Sequence, residues 1–128
     1  MYKYLHVYRI LFAFLLPLIG SAQIWVARYN GPDNGWDGGN TLAVDNAGNV
    51  YVTGSSEGIG TFYDYVTIKY NTSGSTEWIV RYNGPGNGDD EAWAVFVDDD
   101  GNVYVTGYSV GLGTEPDYLT IKYNSSGE

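Results

Sequence analysis

Gly48-Asn49-Val50-Tyr51-Val52-Thr53-Gly54 occurs a second time, unaltered, as Gly101-Asn102-Val103-Tyr104-Val105-Thr106-Gly107. The match extends in both directions. Upstream, Arg28-Tyr29-Asn30-Gly31-Pro32 returns as Arg81-Tyr82-Asn83-Gly84-Pro85. Downstream, Asp64-Tyr65 and Thr67-Ile68-Lys69-Tyr70-Asn71 return as Asp117-Tyr118 and Thr120-Ile121-Lys122-Tyr123-Asn124. Trp25 to Ser75 thus aligns with Trp78 to Glu128 without a gap, at an offset of about 53 residues, and roughly 30 of about 50 pairs are identical. Such self-similarity means one supersecondary unit laid down twice.

Each unit reads as four short strands. In the first copy they are Thr41 to Val44, Asn49 to Thr53, Tyr65 to Asn71 and Glu77 to Tyr82. The first strand, Thr41-Leu42-Ala43-Val44, and its counterpart Ala94-Val95-Phe96-Val97 are apolar on both alternating faces, so burial on both sides is expected. Asp45-Asn46-Ala47-Gly48 is a hairpin turn, with Gly48 free to take a positive φ. Asn71 to Gly74 is a second turn. No stretch after residue 22 has a helical period. The fold class is therefore all-β: two four-stranded antiparallel propeller blades, with repeat 1 at about 25–77 and repeat 2 at about 78–128. A β-helix is the competing reading, but its repeat is shorter and lacks four separate strands.

The first 22 residues are of another kind. Met1 to Arg9 carries Lys3 and Arg9 and no acid; Ile10 to Ile19 is apolar; Gly20-Ser21-Ala22 is small. That order, basic then apolar then small, is the order of a secretory signal, and cleavage after Ala22 is predicted. A membrane anchor is the alternative. A spanning helix needs roughly 20 apolar residues, twice this run, and Pro17 interrupts it. The expected mature protein, residues 23–128, is then exported to the cell surface or beyond it.

Charge and composition exclude several function classes. The chain carries 15 acids against six Lys and Arg. Removing the leader leaves four cations, Arg28, Lys69, Arg81 and Lys122. Nucleic acid and anionic membranes would repel such a protein. The single His is His6 and there is no Cys, so residues 23–128 offer no Ser-His-Asp triad, no thiol nucleophile and no His or thiolate zinc site. No Gly-rich phosphate loop precedes a helix. No cofactor is expected.

The motif set Val44-Asp45, Gly48 to Gly54 and Asp64 to Asn71 resembles the SBBP-type β-propeller repeat of secreted bacterial proteins. The resemblance covers nearly all of residues 23–128, twice. It implies a propeller of about seven blades, export, and often a sorting domain after the repeats. It implies no catalytic activity. Ser21-Ala22-Gln23 resembles signal ends common in Bacteroidetes. The sequence departs from the family in having two repeats and no sorting domain. Ile24 to Tyr29 reads as a lone fourth-type strand, and the second copy stops at Ser126-Gly127-Glu128 in mid-blade. Two blades cannot close a ring, since propellers use about four to eight. The chain is therefore expected to be part of a longer propeller or to assemble with further copies.

Five groups of residues are candidate sites. Asp98, Asp100 and Asn102 alternate like Ca²⁺ ligands, but Gly101 falls too early for an EF-hand loop, and the first copy has Ala47 where the second has Asp100. A turn in which Asp98 caps its own backbone is the reading adopted, with no metal site. Asp89-Asp90-Glu91, partly echoed by Asp37, offers paired carboxylates that suit glycoside hydrolysis or a solvated loop. Trp25 and Trp78 are equivalent and are expected to pack blade on blade; Trp36, in a loop, is the ligand candidate; Trp93, opening a strand, is expected in the core. Arg28/Arg81 and Lys69/Lys122 are read as structural partners of Asp64/Asp117 or Asp45/Asp98. Asn71-Thr72-Ser73 and Asn124-Ser125-Ser126 match the N-glycosylation pattern, but turn formation explains them. No catalytic residue is assigned. The expected role is binding or scaffolding outside the cell, with a glycan or protein ligand; the alternative is a carboxylate-based enzyme acting on polysaccharide.

Overall fold

The computed structural model describes residues 24–128. The predicted leader, residues 1–22, lies outside the described residues. Seven strands follow in order: β1 (Asp37–Val44), β2 (Val50–Glu57), β3 (Tyr63–Tyr70), β4 (Thr76–Tyr82), β5 (Glu91–Val97), β6 (Val103–Val110) and β7 (Pro116–Tyr123). β1 to β4 form one antiparallel sheet and β5 to β7 a second, each strand beside its chain neighbour. This is the blade-by-blade arrangement predicted, in an unclosed all-β form.

The hairpin turns follow the sequence chemistry. Gly48 and Gly101 take φ of 85° and 79°, a conformation that costs glycine nothing. The strands overrun their predicted ends. β2 and β3 continue through Ser56↔Asp64 and Glu57↔Tyr63, beyond the apolar alternation, where Arg81 closes over the polar end and donates to the Ser56 carbonyl and to Asp64 Oδ2.

The two sheets stack face to face. From the first come Tyr51, Tyr65, Trp78, Val80 and Tyr82; from the second, Ala92, Val95, Val97, Val103, Val105, Ile121 and Tyr123. Trp78 lies over Tyr123 and Tyr51 with centroids 6.4 and 5.9 Å apart, a spacing at which tilted rings attract.

The opposite face of the first sheet is covered in part by residues 24–29. Ala27 and Tyr29, with Val50 and Val52, pack on Val66, Ile68 and Tyr70, and Trp25 lies 6.0 Å from Tyr70. These contacts repeat, one copy earlier, those of Val80, Tyr82 and Trp78 on the second sheet. The predicted strand at Ile24 to Tyr29 is therefore placed as a fourth blade strand would be. It is not a strand, because no backbone pairs with it among the described residues.

A second expectation is corrected. The first strand of each unit is not buried on both sides: Leu42, Val44 and Phe96 are 60%, 57% and 64% exposed. Alternation in sequence gives the number of apolar faces, but a face is buried only where another sheet lies on it. β5 lies against the first sheet through Val95 and Val97, and Phe96 points the other way.

Candidate functional site

The residues shared by both copies have structural duties. Asp98 Oδ1 accepts from the Asp100 and Asn102 amides at 3.1 and 2.8 Å, and Oδ2 accepts from the Asn102 carboxamide and Tyr104 hydroxyl at 2.8 and 3.1 Å. Asp45 holds Ala47, Asn49 and Tyr51 in the same way. Hydrogen bonding from Asn102 above all holds the Asp98 carboxyl below its ordinary range; burial pushes Asp45 up, but its combined hydrogen bonds outweigh that and hold it low too. These are the self-capping turns predicted, and they engage both carboxylate oxygens of Asp98 and of Asp45. Asp99 is turned to Asn46 across the blade junction, 3.1 Å away.

The Asp89-Asp90-Glu91 cluster is divided among three tasks. Asp90 is 0% exposed. Its Oδ2 accepts from the Gly84 amide at 2.5 Å and its Oδ1 from the Val110 amide at 3.1 Å, which ties the loop after β4 to the end of β6. Asp37 makes the equivalent bond to the Gly31 amide, 2.9 Å. Asp89 turns toward the Tyr63 amide, and Glu91 Oε2 accepts from the Trp93 indole at 3.2 Å. Asp90, the middle member, is thus sealed from solvent and committed to the fold.

Of the cations, Arg81 pairs with Asp64 at 2.8 Å, as one of the two expected pairings had it. Arg81 also donates to the Tyr29 hydroxyl and to the Ser56 and Glu57 carbonyls. Lys69 departs from expectation. It pairs with Glu77 at 2.8 Å rather than with Asp45, because Lys69 lies opposite Trp78 in the ladder, which brings the neighbouring Glu77 within reach. The sequon asparagines Asn71 and Asn124 each accept amide bonds within their own turns.

What remains uncommitted gathers at one end of the two sheets, where β1 and β5 begin and β2 and β6 finish. Trp36 is 53% exposed and meets Tyr63 edge-on at 5.3 Å. Trp93 is 57% exposed and meets Tyr108 edge-on at 5.4 Å. Trp93 was expected in the core; instead it is the extra residue of a bulge, where the register jumps from Ala92 to Ala94. Bulges re-aim side chains, and this one directs the indole outward. Its counterpart Asn40, at the equivalent bulge between Gly39 and Thr41, instead donates to the Ala92 carbonyl at 2.8 Å and joins the blades. Gly38 leaves room for Trp36: a side-chain carbon there would strike the indole. Burial first, then Glu91 and the neighbouring Asp89 and Asp90, push the Tyr108 hydroxyl up to about 12, so it is neutral and able to donate.

Sequence reasoning found Trp36 and misplaced Trp93. It missed the edge-on tyrosines Tyr63 and Tyr108, which the repeat does not share: Pro116 and Ser55 stand in their places. Divergence between the copies was the available signal.

With the geometry in view, comparison with known proteins agrees. The family model of the SBBP β-propeller repeat matches residues 24–60. That segment runs from the N-terminal packing strip through β1 and β2 into the following turn. No curated protein matches the chain.

Proposed function

We propose that this chain, which carries the SBBP β-propeller repeat, is an exported binding module whose ligand is a neutral glycan held at the Trp36–Trp93 end of the blades. The observation that carries the reading is the division of labour between shared and diverged residues. The shared acids Asp37, Asp90, Asp45 and Asp98 are engaged by backbone amides, and Asp64 by Arg81. The diverged positions present two half-exposed indoles, each braced edge-on by a tyrosine.

Exposed indoles suit the apolar faces of sugar rings, and flanking carboxylates accept from their hydroxyls. Glu57, Asp89 and Glu91 lie at this same end. The surplus of acids disfavours sulfated or uronic polymers, since like charge in an acidic field lowers encounter. The basic, apolar, small order of residues 1–22, read as a leader, supports an extracellular setting for such a ligand.

The test is a glycan array followed by calorimetry. Binding to one class of neutral oligosaccharide, reduced at least tenfold in Trp36→Ala and in Trp93→Ala with melting unchanged, is expected. Release of reducing ends from a bound polysaccharide would move the chain to the enzyme class, and absence of all glycan binding would refute the reading.

A further inference from the structure

Trp36 and Trp93 hold different positions in the repeat, yet they deliver their indoles to the same place in their two blades. Gly38 pairs with Ser55 and Ser55 with Tyr65, so all three share the side of the first sheet that faces the second. The Trp36 indole lies over Gly38 on that side. In the second copy the equivalent trio is Glu91, Tyr108 and Tyr118. The Trp93 indole donates to Glu91 and meets Tyr108 edge-on, so it stands on the corresponding side of the second sheet, at the same place in the blade. One indole arrives from the loop before β1 and the other from the β5 bulge.

Each route uses residues that only its own copy has. Trp36 relies on Gly38, where a side-chain carbon would strike the ring, on Glu57, whose Oε2 accepts from its amide at 3.1 Å, and on Tyr63. The second copy has Glu91, Val110 and Pro116 at those positions, and Asp89 in place of the indole. Trp93 relies on Glu91 and Tyr108, where the first copy has Gly38 and Ser55, with Asn40 in place of the indole. One repeat position cannot serve both routes: glycine admits the loop indole, and glutamate holds the bulge indole. Two unlike residue sets therefore reach one outcome, an indole braced by a tyrosine in each blade.

This place stays open between stacked blades. Trp36 lies on the side of the first sheet that the second sheet covers, where Ser55 and Tyr65 are buried, and it still keeps 53% of its surface. The indoles are offset by one blade step, and stacked sheets lie about 10 Å apart. Asp89 stands between them. Its carboxylate turns to the Tyr63 amide, and the next amide, that of Asp90, donates to the Tyr63 carbonyl at 2.6 Å. The Trp36–Tyr63 pair is thereby joined to the segment that leads on to Glu91 and Trp93. The result is a strip of indole, carboxylate and indole running across the blade junction.

Such a strip matches one kind of sugar chain. Equatorially linked pyranoses form an extended ribbon in which every second ring repeats the orientation of the first, and that two-ring period is close to the blade step. Axially linked chains coil and turn successive faces away from a straight strip. We propose that the ligand, resting on the glycan reading above, is the interior of an extended β-1,4-linked neutral polysaccharide laid across the blade junction. One ring lies on Trp36, the second ring along lies on Trp93, and a hydroxyl of the ring between them donates to Asp89. A chain that reaches both indoles makes its second contact intramolecular, so affinity steps up once the chain spans them.

The test is calorimetry on the full chain with cello-, xylo- and manno-oligosaccharides of two and four units, and with malto-oligosaccharides of the same lengths. At least one β-1,4 series is expected to bind about tenfold or more tighter at four units than at two. Trp36→Ala and Trp93→Ala should each abolish that step, so that four units bind as weakly as two, with melting unchanged. Gly38→Ala keeps both tryptophans and should abolish it as well. Glu91→Gln keeps an acceptor for the Trp93 indole and should preserve it. Equal or tighter binding of the malto series or of another linkage, affinity independent of length, or a step that survives loss of either indole would overturn the proposal and leave glycan binding standing. Absence of binding to every glycan would refute the underlying reading and this proposal with it.

Discussion

Replacing Tyr65 with alanine should cost far more than replacing Tyr118, although the two occupy the same place in the repeat. Tyr65 is 0% exposed, surrounded by the inter-sheet cluster and edge-on to Tyr82 at 6.0 Å. A buried tyrosine removes about 150–250 Å² from water, worth about 4–6 kcal/mol at about 25 cal/mol per Å² as an upper bound. Aromatic-to-alanine changes in cores cost about 3–5 kcal/mol, so about 3–4 is expected here. Tyr118, 99% exposed, should change stability by no more than about 0.5 kcal/mol. Urea unfolding at submicromolar protein, followed by tryptophan emission, separates the cases. With a slope of about 1–3 kcal/mol per molar urea, Tyr65→Ala lowers the midpoint by about 2 M. Tyr118→Ala leaves it in place. Equal losses in the two dilute variants would refute the stacking of the first sheet on the second.

Asp90→Ala strands the buried Gly84 and Val110 amides and should destabilise by about 2–5 kcal/mol, seen as a lower thermal midpoint; an unchanged midpoint would return Asp90 to the list of functional acids. Tyr51, Tyr65, Tyr70 and Tyr123 all have hydroxyls raised above the ordinary value, by burial first. Their contribution is complete below about pH 10 and is lost as pH rises through the folded values, so melting temperature should fall across the alkaline range in step with phenolate absorbance. Asp98 is held low, so its turn contributes fully above about pH 3.9 and fails as pH drops through the depressed value. Asp98→Ala should therefore flatten the acid limb of the stability curve measured by melting.

The fold was legible wherever both copies carry the same residues in the same local role. The unaltered stretch Gly48 to Gly54 gave β2 with its preceding turn, and Asp98 was read as capping the backbone of its own turn. Trp25 and Trp78 were read as packing residues from equivalence, and both lie on tyrosines. What was not legible depends on partners distant in sequence. The exposure of Leu42 follows from which sheet lies beside it, which no alternation records. The Asp90 clamp joins amides on two different strands. Lys69 finds Glu77 only once the β3–β4 register is known. Trp93 looked like a strand-opening core residue because a bulge leaves no mark in a sequence with no glycine or proline at that position.

The claim at the centre of the account is that shared residues build the blades and diverged residues bind. It can be tested by giving each exposed tryptophan the residue its sister copy carries, in the single variant Trp36→Asp with Trp93→Asn, and measuring melting and neutral-oligosaccharide binding on one preparation. The account predicts a stability change within about 0.5 kcal/mol for each exposed site, together with loss of glycan binding by calorimetry. Binding retained at wild-type strength, or a collapse of melting with binding unaffected at low temperature, would contradict it.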